Sequence, residues 1–182
     1  MKKETTQSHV DILALNRLSV FNERKEEILV SSLWKTNSVI IVFLRHFGCI
    51  ACRAHVDQVW KNKMELEKSG SKIIFIGNGS PEMIKPFKED MNVSDAPIFT
   101  NPNHEIFDAC GFNRGVKYLM TPQSAMKMVK LYWEGYSQGT QQKGNGEHTQ
   151  MGGILAIKPP GKVTYHYVSE YLGDFDEQTN WN

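Results

Sequence analysis

The stretch "SVIIVFLRHFGCIACRAHVDQVWKNKMELEKSGS", residues 38–71, constrains the fold more than any other part of the chain. Its opening run from Val39 to Leu44 is continuously apolar with no polar alternation, the mark of a strand covered on both faces, which predicts a central position in a parallel or mixed sheet. From Cys49 to about Lys68 there is no Pro or Gly. Cys52, Val56, Val59, Trp60 and Leu66 recur near helical spacing until "KSGS" ends the segment. The reading is strand, short loop, helix, with Cys49 and Cys52 at the junction.

The pattern then repeats. "KIIFIG" (72–77) reads as a second buried strand, and "SPEMIKPFKEDM" follows as a helix with Ser80 as N-cap and Pro81 at its first position. "APIFTNP" (96–102) and "HEIFDACG" (104–111) read as a third strand and a short helix closed by Gly111. "GGILAIKPPGKVTYHYV" (152–168) reads as a β-hairpin about a Pro-Pro-Gly turn. Alternating βα units followed by a hairpin predict one layered α/β domain over 1–182, with a mixed sheet flanked by helices. The segment before the central strand is expected to add an accessory hairpin. Between 112 and 151 the pattern predicts a helix whose apolar face carries Ala125, Met128, Val129, Tyr132, Trp133 and Tyr136, packed on the sheet or lining a substrate pocket. A mobile polar loop, "SQGTQQKGNGEHTQ", is expected after it.

Two cysteines three apart on one helix face lie within reach of a reversible disulfide. A thiolate at a helix start is stabilised by free N–H groups and by nearby cations. Arg45, His46, Arg53 and His55 surround the pair, and no acidic residue appears until Asp57. Cys49, at the exposed loop, is therefore expected to attack, and Cys52, deeper in the helix, to resolve. Two alternatives stand beside this one. Cys49, Cys52 and His55 resemble three zinc ligands, but no second C-x-x-C supplies a fourth. Both thiols would also suit a buried core. Cys110 is expected to be a bystander. His46 either tunes the Cys49 thiolate or bonds a backbone carbonyl, and Arg114 in "FNRG" reads as a surface residue.

Charge and length narrow the function classes. Twenty-one Lys and Arg against 20 Asp and Glu give a net charge of +1, which provides no field to recruit nucleic acid or an anionic membrane. The apolar residues of "MKKETTQSHVDILALNRL" are interrupted by Asp11, Asn16 and Arg17, unlike a signal-peptide core, and no stretch approaches the ~20 apolar residues that cross a bilayer. Three cysteines do not make a secreted disulfide framework, so the expectation is a cytoplasmic protein.

"VFLRHFGCIACR", with "IIFIGNGSPEMIKPF", "APIFTNPNHEIFDACG" and "GGILAIKPPGKVTYHY", resembles in order the peroxiredoxin-like branch of the alkyl hydroperoxide reductase and thiol-specific antioxidant family, over roughly residues 10–175. The resemblance implies a thioredoxin-like fold and a thiol-dependent antioxidant oxidoreductase with Cys49 and Cys52 at the redox-pair positions. The implied substrate is a peroxide or other small oxidised molecule, and the implied partner is an external reductant such as thioredoxin or glutathione. Neither cofactor nor metal is expected. The candidate catalytic residues are Cys49, Cys52, His46 and Arg53. The chain departs from the family pattern at three places. His46 stands where a Thr precedes the reactive Cys, and Val42 where a Pro does. "QMGG" (150–153) lacks the usual Arg, so its task falls to Arg45, Arg53, Arg114 or His46; it also lacks the cis-Pro of thioredoxins. Slow peroxide chemistry is expected, with a non-catalytic redox-sensing or binding module on the same fold as the alternative.

Overall fold

The computed structural model describes residues 10–140, 142–176 and 181, so the first residues of the N-terminal reading lie outside it. In chain order the elements are α1 (Ile12–Leu15), β1 (Ser19–Phe21), β2 (Glu27–Leu29), β3 (Val39–Phe43), α2 (Ile50–Lys61), α3 (Lys63–Leu66), β4 (Lys72–Gly77), α4 (Ile84–Met91), β5 (Ile98–Thr100), α5 (Glu105–Ala109), α6 (Pro122–Trp133), β6 (Gly153–Lys158) and β7 (Lys162–Val168). The seven strands form one mixed sheet in the order β2-β1-β5-β4-β3-β6-β7. β3, β4 and β5 run parallel, whereas β6 pairs antiparallel to β3 and closes the C-terminal hairpin with β7.

The unbroken apolar run is explained by β3 being buried along its whole length. Ile40 and Val42 face a core shared with α2 and α4, while Val39, Ile41 and Phe43 face a second core against Ile106, Phe107 and Phe112. Each such side chain contributes roughly 1.5–3 kcal/mol by leaving water. Cys110 belongs to the second core, across the sheet from the cysteine pair.

Three expectations change. The helix begun at Cys49 does not run to Lys68; it stops at Lys61, where the Asn62 side chain donates to the Gln58 carbonyl at 2.9 Å and competes with the helix ladder. The chain resumes as α3 and a 3₁₀ turn before Gly70. Only part of the apolar face assigned to α6 is covered, since Met128 and Tyr136 alone of its residues pack against the core. Leu131 and Ser124 point inward with Met128 partly covered, whereas Val129, Tyr132 and Trp133 are 58%, 73% and 83% exposed. Spacing alone missed this because Ser124 is polar. Its Oγ accepts from the Leu172 N–H and bonds the Thr121 cap, which turns the helix about its axis. Lastly, the polar segment after α6 is not a free loop but a strap bonded across the start of α2.

Candidate active site

The β3–α2 loop positions the two sulfurs. Cys49 is the N-cap of α2, with φ −77° and ψ 123°, and Cys52 lies one turn inside it. Both are free thiols and both are buried, at 2% and 5% exposure, so the expected open position of Cys49 is not found. The strap covers it: Gln138 Oε1 accepts the Ile50 N–H at 3.0 Å, and the Gly139 N–H donates to the Gly48 carbonyl at 3.2 Å. Further along, the Phe47 N–H donates to the Asn145 carbonyl and Ser80 N–H to the Gly144 carbonyl. The strap sits close enough that a Cβ on Gly79 would lie 2.6 Å from the Asn145 carbonyl oxygen.

Arg45 joins the strap to the sulfurs. One terminal nitrogen donates to the Cys49 Sγ at 3.1 Å, Nε donates to the Gln150 carbonyl at 3.1 Å, and the other terminal nitrogen donates to the His148 carbonyl. Its backbone N–H donates to the Cys52 Sγ at 3.2 Å. The two thiols then separate in acidity. A hydrogen bond from the Cys52 thiol lowers the pKa of Cys49; burial raises it; the Arg45 charge and the open N–H groups of Cys52 and Ala51 lower it again, to about 6. Burial and the neighbouring Cys49 push Cys52 well above its ordinary value. The pair therefore holds one thiolate and one thiol near neutral pH.

Of the other candidates, His46 is buried. Its Nε2 lies 3.2 Å from His148 Nδ1, and its own Nδ1 has no partner among the described residues. Arg53 turns away from the sulfurs to pair with Asp90 of α4. Arg114 pairs with Asp108 and with the Gln150 side chain, both at 2.8 Å. The guanidinium at the sulfur thus comes from the loop before α2 and not from the start of β6. Position 152 admits no side chain, since a Cβ there would lie 2.2 Å from the Phe43 carbonyl oxygen. Sequence reasoning missed Gln138 and His148, which bond residues 88 and 102 positions earlier in the chain and so leave no local signal. Among the described residues no group of three or more His, Cys, Asp or Glu side chains could hold a metal ion, and no helix is long and apolar enough to cross a membrane.

His46 and His55 also predict a pH dependence. Burial, with Arg45 and His148 beside the first ring and Lys127 beside the second, lowers both to about 3. In the unfolded chain each returns to about 6.5 and binds its proton first, so the folded state is at full advantage above pH 6.5 and loses it as pH falls toward 3. Urea unfolding should show stability falling by ~2 kcal/mol or more between pH 7 and pH 5. A flat profile there would mean that both rings reach water.

Residues 58–170, well over half of the chain, match the AhpC/TSA antioxidant enzyme family, and the protein belongs to it. The matched segment begins after the cysteine pair, so the roles of Cys49 and Cys52 rest on the local geometry. The thioredoxin-like protein AAED1, chloroplastic, of Arabidopsis thaliana is 33% identical over 85% of this chain, which spans 64% of that relative. Prostamide/prostaglandin F synthase of Xenopus tropicalis is 28% identical, covering 91% of this chain and 83% of its own, and human peroxiredoxin-like 2C is 26% identical over 84% and 70%. The thioredoxin-like fold is shared with solved peroxiredoxins: Xanthomonas campestris peroxiredoxin Q superposes with TM-score 0.62 at 12% identity, covering 89% of this chain and 87% of its own. The peroxidoxin BcpB of Mycobacterium tuberculosis gives 0.61 at 13%, covering 86% and 84%.

Proposed function

We propose that the protein is a thiol-dependent antioxidant oxidoreductase that reduces a peroxide through a reversible Cys49–Cys52 disulfide. The observation that carries this reading is the Arg45 guanidinium on the Cys49 sulfur, with the Cys52 thiol bonded to the same atom. In the first step the Cys49 thiolate attacks the terminal oxygen of a hydroperoxide and breaks the O–O bond. The sulfur becomes a sulfenic acid, and the departing alkoxide takes a proton and leaves as an alcohol. Arg45 is the cation placed to stabilise the charge that moves from sulfur to oxygen. In the second step the Cys52 sulfur attacks the sulfenic sulfur, the S–S bond forms and water leaves. Two thiols of an external reductant, such as thioredoxin or glutathione, then restore the pair.

His46 stands where a hydroxyl would polarise the peroxide, and its Nδ1, buried and without a partner among the described residues, does not replace that donor. Arg53 acts at a distance, holding α4 against α2 through Asp90. Substrate reaches Cys49 when the exposed part of the strap about Gln138 lifts, which breaks the Gln138–Ile50 and Gly139–Gly48 hydrogen bonds. Small size and a reducing compartment such as the cytoplasm fit this use.

The test is mild oxidation followed by peptide mapping, with stopped-flow mixing against hydrogen peroxide and an organic hydroperoxide. The expected map joins Cys49 to Cys52, and thiol loss is expected to be slower than in peroxiredoxins that keep the hydroxyl, because one absent transition-state donor costs ~10² to 10³ in rate. Unreacted Cys49 and Cys52 after complete peroxide treatment would leave the non-catalytic module as the answer.

A further inference from the structure

Arg45 reaches the Cys49 sulfur from between two carbonyl oxygens, those of His148 and Gln150, so the aim of its fork depends on what fixes residues 148–150. A short ladder does so. Arg114 and Gln150 form an isolated antiparallel bridge, the Gly115 N–H donates to the Thr149 carbonyl at 3.0 Å, and the Met151 N–H donates to the Asn113 carbonyl at 2.9 Å. The Gln150 side chain locks that ladder from inside, where it is 0% exposed. Its Nε2 donates to the Asn113 carbonyl at 3.2 Å and to the Met151 carbonyl at 2.9 Å, and its Oε1 accepts from the Arg114 Nε at 2.8 Å. Arg114 is in turn held from its other edge by Asp108 of α5.

Resting on the function proposed above, we infer that Gln150 and Arg114 are positioning residues for the reaction: the Gln150 side chain, pinned by Arg114 and Asn113, fixes the carbonyl that aims the Arg45 guanidinium at the Cys49 sulfur. A guanidinium is a planar fork on a flexible stem. With Nε and one terminal nitrogen engaged by two fixed carbonyls, the remaining terminal nitrogen is left directed at Cys49. Neither Gln150 nor Arg114 bonds a sulfur, so both act on Cys49 only by way of Arg45. The geometry matters because a shift of about 1 Å in a group that stabilises reacting charge can cost as much as ~10² in rate.

The experiment follows the pH dependence of Cys49 alkylation by limiting iodoacetamide, read on the Cys49 peptide of the reduced full chain, beside thiol oxidation by hydrogen peroxide. Gln150→Leu removes the lock without removing a charge, and Arg114→Met loosens it from the exposed side and serves alone if Gln150→Leu does not fold. Both should slow alkylation at pH 7 several-fold, move its pH midpoint up toward that of Arg45→Met, and slow oxidation by ~10-fold or more. In an Arg45→Met background neither substitution should change the profile or the oxidation rate further, because the group being aimed is gone. A loss of thermal stability with the wild-type alkylation profile kept would make the pair structural only and overturn the inference. Equal further slowing in the Arg45→Met background would overturn it too, since the two residues would then act without Arg45. Wild-type protein that alkylates rapidly at pH 7 yet resists peroxide removes the proposed function, while the alkylation profiles still decide the positioning role.

Discussion

Cys49→Ser is expected to end peroxide turnover and the rapid alkylation of the protein by limiting iodoacetamide near pH 7, while Cys52→Ser keeps the alkylation and loses only the cycle. The two sulfurs are almost equally buried, so exposure does not separate them. Charge does. Cys49 receives a hydrogen bond from Arg45 and another from the Cys52 thiol, and its pKa falls to about 6, so most of it is thiolate at pH 7. Cys52 is pushed the other way and stays a thiol. Attack on oxygen requires the thiolate, and Cys52→Ser leaves a hydroxyl that still donates toward Cys49. That variant should therefore be oxidised once and stop, with a sulfenic acid or a mixed disulfide held on Cys49 because no sulfur remains beside it to resolve the intermediate. Mass spectrometry of both variants after brief peroxide treatment reads the result directly. A stable adduct on Cys52 in Cys49→Ser, together with an unreactive Cys49 in Cys52→Ser, would exchange the two roles.

The parts of this arrangement that the sequence disclosed are those carried by local pattern. The apolar run of β3, the Gly- and Pro-free start of α2 and the C-x-x-C between them are each written within a dozen residues, and all three take their expected places. Long-range pairings carry no such mark. Gln138 meets Ile50, and His148 meets both Arg45 and His46, only because the chain returns across the β3–α2 loop after α6. A polar stretch of Gly, Gln and Asn looks the same in sequence whether it hangs in water or lies across a helix start. The α6 stripe misled for a related reason. Periodicity counts apolar side chains, but the face of α6 that packs is fixed by one Leu and by the hydrogen bonds of a Ser, leaving Tyr132 and Trp133 outside. Among the four candidates for the missing cation, sequence had no means to choose. Arg53 and Arg114 are already paired with Asp90 and Asp108, contacts made by separate elements, and Arg45 alone of the three arginines bonds the Cys49 sulfur.

Arg45→Met should lower turnover by about 10² or more, through two effects that pH can separate. The side chain is 7% exposed and bonds the Cys49 sulfur, the His148 carbonyl and the Gln150 carbonyl. The Cys52 thiol lowers the Cys49 pKa most and the Arg45 charge adds to it, so removing Arg45 raises that pKa, and at pH 7 a smaller fraction is thiolate and alkylation slows. Raising the pH to about 9 should restore the alkylation rate, since deprotonation alone limits that reaction. Turnover should remain well below wild type at the same pH, because the guanidinium that receives charge from the departing oxygen is still absent. The two orphaned carbonyls add a stability cost of roughly 1–3 kcal/mol each if no water replaces the donor. Arg45→Lys keeps a cation near Cys49 but cannot span sulfur and both carbonyls with a planar fork, so its alkylation profile should lie nearer wild type than its turnover does. If turnover of Arg45→Met recovers fully at pH 9, the arginine serves only to ionise Cys49. If alkylation at pH 7 is unchanged, the helix start and the Cys52 thiol hold the thiolate without it, and the acidity of this pair comes from its position on α2.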